Sequence, residues 1–241
     1  TSKAVDSLDQ IEGISPSDIT SSLKEITSGA TSALDQIEVS DYSASDLGEM
    51  VQEISSGATQ ALGNIEIDGI SSDNLSSMME KVTAGATGAL GQISMEGYSS
   101  SNLTTMLSKI TSGATSALGD IEMEGYSSNN LNLMVEKITA GATSALDEIQ
   151  LEGFSSDNLS SMVQEITSGA TGALDEIEMA GFDPSTDVFS MTEKVVLGTT
   201  GALSEIEMDG YDSDDLEGMI EGGTTGAMSA INELQRAGLD Q

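Results

Sequence analysis

The residues best placed to do chemistry are acidic ones gathered before the short connectors of this chain. Asp120, Glu122 and Glu124 form one group, Asp147, Glu148 and Glu152 a second, and Glu205, Glu207 and Asp209 a third. Carboxylates at a helix C-terminus oppose the helix dipole and lie near unpaired carbonyls, so they call for an offsetting positive charge. Ca²⁺ takes carboxylate and carbonyl oxygens together, which makes Glu122, Glu124, Glu205, Glu207 and Asp209 the candidate metal ligands. The N-terminus of the next helix, or hydration alone, offsets the same charge without an ion. An EF-hand is excluded around Glu205, because Leu216 stands where such a loop needs its final bidentate Glu.

Other chemistry is sparse. The chain has no His and no Cys, which removes the usual nucleophile and base pairs, thiol reactions and disulfides. Its carboxylate pairs recur with the scaffold instead of marking one singular cleft, so no enzyme is expected. The glycine-rich Gly-Ala-Thr run lies inside a helical period and an acidic background, which suits close helix contact better than phosphate binding. Asn74, Asn102 and Asn158 open Asn-Leu-Ser/Thr triplets of the N-glycosylation type. Their place in the first helical turn points to a capping role.

These residues belong to a repeat. A Gly-Ala-Thr or Gly-Thr-Thr core begins at Gly29, Gly57, Gly85, Gly113, Gly141, Gly169, Gly198 and Gly223, the first six at steps of 28 residues. Regular self-similarity of this length marks a stacked array, in which one unit cannot bury its apolar face alone. In the unit from Tyr98 to Tyr126, Leu103, Met106, Leu107, Ile110, Ala114, Ala117, Leu118 and Ile121 recur at steps of three and four. That is the stripe of an amphipathic helix. Met79, Met95, Met106, Met123, Met134 and Met162 recur with it as flexible core filler.

The connectors carry both a stop and a start. Gly125 suits the left-handed position after a helix, and Tyr126 then packs back on Ile121 and forward on Leu131, with Ser127 as the next N-cap. Pro16 and Pro184 fall on the first helical residue, where proline is favoured. The expectation is an all-α array of antiparallel helices about 24 residues long, roughly 36 Å each. It would be an α-solenoid or elongated helical stack, one domain over residues 1–241, with a half-unit at 1–13 and full units from 14. Within this numbering the segment after Phe182 gains one residue and the last unit loses three. Two alternatives remain: Leu118, Ile121 and Met123 resemble a leucine-rich-repeat strand of an α/β solenoid, and the Ser-Gly-Ala core could split each helix in two.

Composition narrows the partners. A formal charge of −34 with only seven basic residues excludes nucleic acid and anionic membrane surfaces. No long apolar run qualifies as a membrane span. An opening Thr1 in place of Met points to a processed product or a piece of something longer. The function expected is that of a non-catalytic structural protein, extracellular or at the cell surface, that forms a homo-oligomer or filament. An extended binding scaffold or adhesin, stiffened by divalent cations, is the alternative.

Overall fold

The computed structural model describes residues 1–8, 11, 13–36, 42–65, 71–93, 99–121, 127–149, 155–177, 184–204, 206 and 212–239. Among these there are nine α-helices and no strand: α1 (Ser2–Asp6), α2 (Pro16–Ser32), α3 (Ala44–Leu62), α4 (Ser72–Ala89), α5 (Ser100–Ser116), α6 (Ser128–Ser144), α7 (Ser156–Gly172), α8 (Pro184–Leu203) and α9 (Ser213–Leu239). The all-α repeat is therefore as expected, and the leucine-rich-repeat alternative falls. Leu118 lies in a 3₁₀ turn and Ile121 leaves it in extended conformation, while Met123 lies outside the described residues. Each helix runs unbroken through its Gly-Ala-Thr or Gly-Thr-Thr core, so the two-helix alternative falls as well.

Helix starts are fixed by capping. In Ser15, Ser43, Ser71, Ser99, Ser127 and Ser155 the backbone N–H donates to the side-chain oxygen of the Asp or Asn three residues ahead, at 2.7–3.1 Å. At Ser15, Ser43, Ser71 and Ser155 the N–H of that third residue returns a bond to the serine hydroxyl. This is a capping box with Asp or Asn in place of Glu. Asn74, Asn102 and Asn158 all serve it. Pro16 and Pro184 open α2 and α8, where a missing N–H costs nothing.

Helix ends differ from the expected 24-residue rods. After 17 or 18 residues most bodies tighten into a 3₁₀ turn, as at Ala117–Asp120 and Ala145–Glu148, and Ile93, Ile121, Ile149 and Ile177 then leave in extended conformation. The tighter turn satisfies terminal carbonyls that an α-helix would leave open: the Ile121 N–H reaches Leu118 O at 3.4 Å. All eight residues of the stripe from Leu103 to Ile121 are buried. So are Met79, Met106, Met134 and Met162, while Met95 and Met123 lie outside the described residues. The connector residues Gly125, Tyr126, Tyr98, Phe154, Phe182 and Tyr211 lie outside them too. Gly13, the counterpart of Gly125, is described and has a φ of 80°, the left-handed conformation expected of it.

The structural step is two units. The main packing partner of each helix is the helix two along the chain, so α1, α3, α5, α7 and α9 form one row and α2, α4, α6 and α8 another. Partners within a row are parallel, held at a constant offset. Consecutive helices are antiparallel across the rows: the N-terminal body of α5 shares a core with the C-terminal end of α6, and the C-terminal end of α5 shares a second core with the body of α6.

Glycine sets the spacing within a row. A Cβ on Gly85 would meet Thr27 and the Lys24 carbonyl, one on Gly141 the Glu80 carbonyl and Thr83, one on Gly169 the Ser108 carbonyl and Thr111, and one on Gly198 the Glu136 carbonyl and Thr139. Gly113 is the loosest, with a Cβ falling 2.6 Å from Gln52 O and 2.9 Å from Ser55 Oγ. In each case the hydrogen standing in for Cβ points at a carbonyl oxygen, a weak Cα–H···O contact common between close helices. The last unit corrects the sequence numbering: Gly226, not Gly223, takes this place, against the Gln164 carbonyl and Thr167. Gly226 stands 13 residues after the start of α9, as Gly113 does after the start of α5. The Gly-Thr-Thr at Gly223 is thus out of register by nearly one turn, and no residues are missing.

A helix-interior Gly costs about 1 kcal/mol against Ala, whereas forcing a methyl into a packed backbone costs about 1–3 kcal/mol. Gly141→Ala is therefore expected to lower stability by about 2 kcal/mol or more in urea unfolding. Gly201→Ala, with nothing near its Cβ position, is expected to raise it by up to about 1 kcal/mol.

The caps also give an acid response. Bonds from the Ser15 hydroxyl and N–H hold the Asp18 carboxyl below its ordinary value, and the Ser43 N–H and hydroxyl do so for Asp46. The Asp212 N–H, then the Ser156 hydroxyl, lower Asp215. A depressed carboxyl adds stability above its unfolded pKa and loses it as pH falls through the folded one. Replacing all three by Asn, as already found at Asn74 and Asn102, should flatten the loss of stability below about pH 4. Relief of self-repulsion on acidification acts on both chains alike, so the difference between their unfolding curves isolates the caps.

Candidate functional site

The proposed Ca²⁺ ligands Glu122, Glu124, Glu205, Glu207 and Asp209 lie outside the described residues. Three acids of the same groups are described: Asp147 is exposed, and Asp120 and Glu148 have protein partners. Asp120 accepts from the Gln60 side-chain amide at 2.6 Å, and Glu148 accepts from Lys24 Nζ at 2.7 Å. Among the described residues no group of three or more acids converges as a metal site, and no helix is long and apolar enough to cross a membrane.

One buried polar feature repeats through the array. Thr31, Thr59, Thr87, Thr115, Thr143 and Thr171, the threonines of the Gly-Ala-Thr core, are fully buried and their hydroxyls have no hydrogen-bond partner. Four residues earlier the pattern differs: Thr83 Oγ1 lies 3.0 Å from the Ile138 carbonyl across the row, and Thr139 Oγ1 lies 3.2 Å from that of Val195. The second set ties neighbours together. The first contributes the shape of a β-branched side chain.

The ends of the array expose what its interior hides. Every large hydrophobic residue exposed among the described ones lies near α2 or on α8 and α9: Ile11, Tyr42, Phe189, Leu197, Ile220 and Met228. Ile220 occupies the column of Leu23, Val51, Met79, Leu107, Val135 and Val163, each 0 % exposed, yet is itself 39 % exposed. Thr224 repeats the hydroxyl contacts of Thr167, reaching the carbonyls of Ile220 at 3.1 Å and Glu221 at 2.9 Å, and it too is exposed. At the opposite end Ala33 is exposed where Ala61, Ala89, Ala117, Ala145 and Ala173 are buried. Gly29 has nothing within 4 Å of its Cβ position. These are stacking faces without a neighbour.

A groove opens beside the first of them. Leu34, Tyr42, Asp46, Glu49, Met50, Glu53 and Ile54 line about 500 Å³. It exists because α1 is only five residues long and meets α3 near Gly57, leaving the N-terminal half of α3 bare. Met50 and Ile54 belong to columns that are fully buried at Met78, Met106, Val82 and Ile110. The half-unit is legible in the sequence, whereas the exposed stripe on α8 and α9 is no part of the repeat pattern. Its signal is a break in the repeat columns: Phe189 stands where other units carry Asn132 or Thr104, and Met228 where they carry threonine.

No protein-family model matches this chain, and no curated protein matches it.

The buried hydroxyls generate a contrast. A buried donor without a partner costs about 1–3 kcal/mol, and an apolar group of the same shape removes that cost. Thr115→Val is expected to raise stability by about 1 kcal/mol. Thr83→Val, which gives up the bond to Ile138, should lower it by a similar amount in the same unfolding assay.

Proposed function

We propose that this chain is a non-catalytic structural repeat protein that associates with copies of itself into a fibre, sheath or surface layer outside the cell. The observation that carries this reading is Ile220: a member of a column buried in every unit from α2 to α8, apolar up to α7 and Thr192 in α8, and left open on the last helix. Arrays of this kind stay separate when their terminal units are polar on the outside. Here the terminal faces keep interior residues instead. Contacts between unlike ends propagate as open filaments when their rotation does not close.

The acidic surface fits a saline, ion-rich setting, where screening relieves the self-repulsion of a chain with a charge of −34. Divalent cations would act in the same direction. A second reading, an extended binding scaffold or adhesin, draws on the groove along α3, whose apolar floor and acidic rim suit a cationic or amphipathic segment.

Electron microscopy and light scattering over a range of protein and salt concentrations separate the two. Self-association predicts particles that lengthen with concentration at constant width. A strictly monomeric chain at high concentration in high salt would count for the scaffold.

A further inference from the structure

Resting on that reading, we infer which faces meet: α2 of one copy stacks on α9 of another, seating Gly29 on the Glu221 carbonyl beside Thr224, with Glu25 opposed to Glu221. The argument is continuity with the interface already inside the molecule. In the row of α9, Gly113, Gly169 and Gly226 each rest on a carbonyl and a hydroxyl of the preceding helix. Thr224 and the carbonyls of Ile220 and Glu221 rebuild that seat on the outer side of α9, and no glycine occupies it. Gly29 is the complementary half, a core glycine with open space at its Cβ position. Counting along the chain agrees: after α9 the half-helix α1 of a second copy takes the place next to α8, and its α2 then falls next to α9.

The same register identifies a charge contact. In the other row, where α6 rests on α4 and α8 on α6, the residue four before the core glycine meets the residue that supplies the carbonyl. Lys137 Nζ lies 2.8 Å from Glu80, and Lys194 Nζ lies 3.0 Å from Glu136. At the joint between copies these positions are Glu25 and Glu221, both exposed and both acidic. The apolar and backbone parts of the faces match while the charges repel. Association is therefore sensitive to ionic strength, since the screening length falls from about 30 Å at 0.01 M salt to about 3 Å at 1 M, where even a close exposed repulsion is weakened.

The whole chain, Glu25→Lys and Gly29→Leu are compared by sedimentation velocity and electron microscopy in low and high NaCl. Wild-type association should strengthen with salt. Glu25→Lys, which recreates the Lys137–Glu80 arrangement, should associate at about tenfold lower concentration in low salt and gain less from added salt than the wild type does. Gly29→Leu should keep the helical spectrum and a melting temperature no lower than that of the wild type, because position 29 faces open space and leucine favours the helix, while association falls at least about tenfold. Wild-type assembly that neither substitution alters would overturn this joint and leave self-association standing. If wild type and Glu25→Lys both stay monomeric in either salt, both readings fall, and the end faces belong to another segment or a different partner.

Discussion

The architecture depends on one contact: a helix backbone laid against the backbone of a parallel neighbour, with a glycine hydrogen facing a carbonyl oxygen. Everything else in the unit follows from keeping that approach. Side chains at the crossing must be small, so Ala and Thr surround each glycine and the bulkier Met, Leu and Ile are pushed toward the inner faces that meet the other row. A packed interior is then reached with few aromatic residues in the chain. The two described aromatic residues lie outside this interior, Tyr42 on the wall of the groove along α3 and Phe189 exposed on α8.

Because the contact joins alternate helices, the sequence period of 28 residues and the packing period are not the same. The amphipathic stripe could be read from Leu103 to Ile121 because it depends only on local spacing, and the same holds for the proline starts and serine caps. The division into two rows could not, since nothing local says that α5 rests on α3 and α7 instead of on its immediate neighbours. The 3₁₀ ends were missed for a related reason. A three-residue step keeps Leu118 and Ile121 on the buried side, so the pattern of apolar residues looks helical past the point where the helix has tightened.

The site was harder to read than the fold. Residues such as Ile220 and Thr224 look ordinary in sequence, because they conform to their columns and differ only in having no neighbour. Gly223 misled in the opposite sense. It imitates the core motif by sequence, yet the start of α9 sets the register and brings Gly226 to the crossing. Charge completes the picture: an array this acidic is held together by contacts that hardly involve charge, and two of its lysines, Lys137 and Lys194, reach the neighbouring helix of their row.

The two-unit step constrains how such a gene can change. Unequal recombination between neighbouring copies adds or removes one unit, which leaves the helical fold intact but moves every later helix onto a new partner. Loss of the α4 unit would set Lys137 over Gln52 in place of Glu80, trading an ion pair for a neutral contact. Exchange in pairs keeps every helix in its own row, and loss of α5 with α6 would set Lys194 over Glu80 in place of Glu136 and so keep an ion pair.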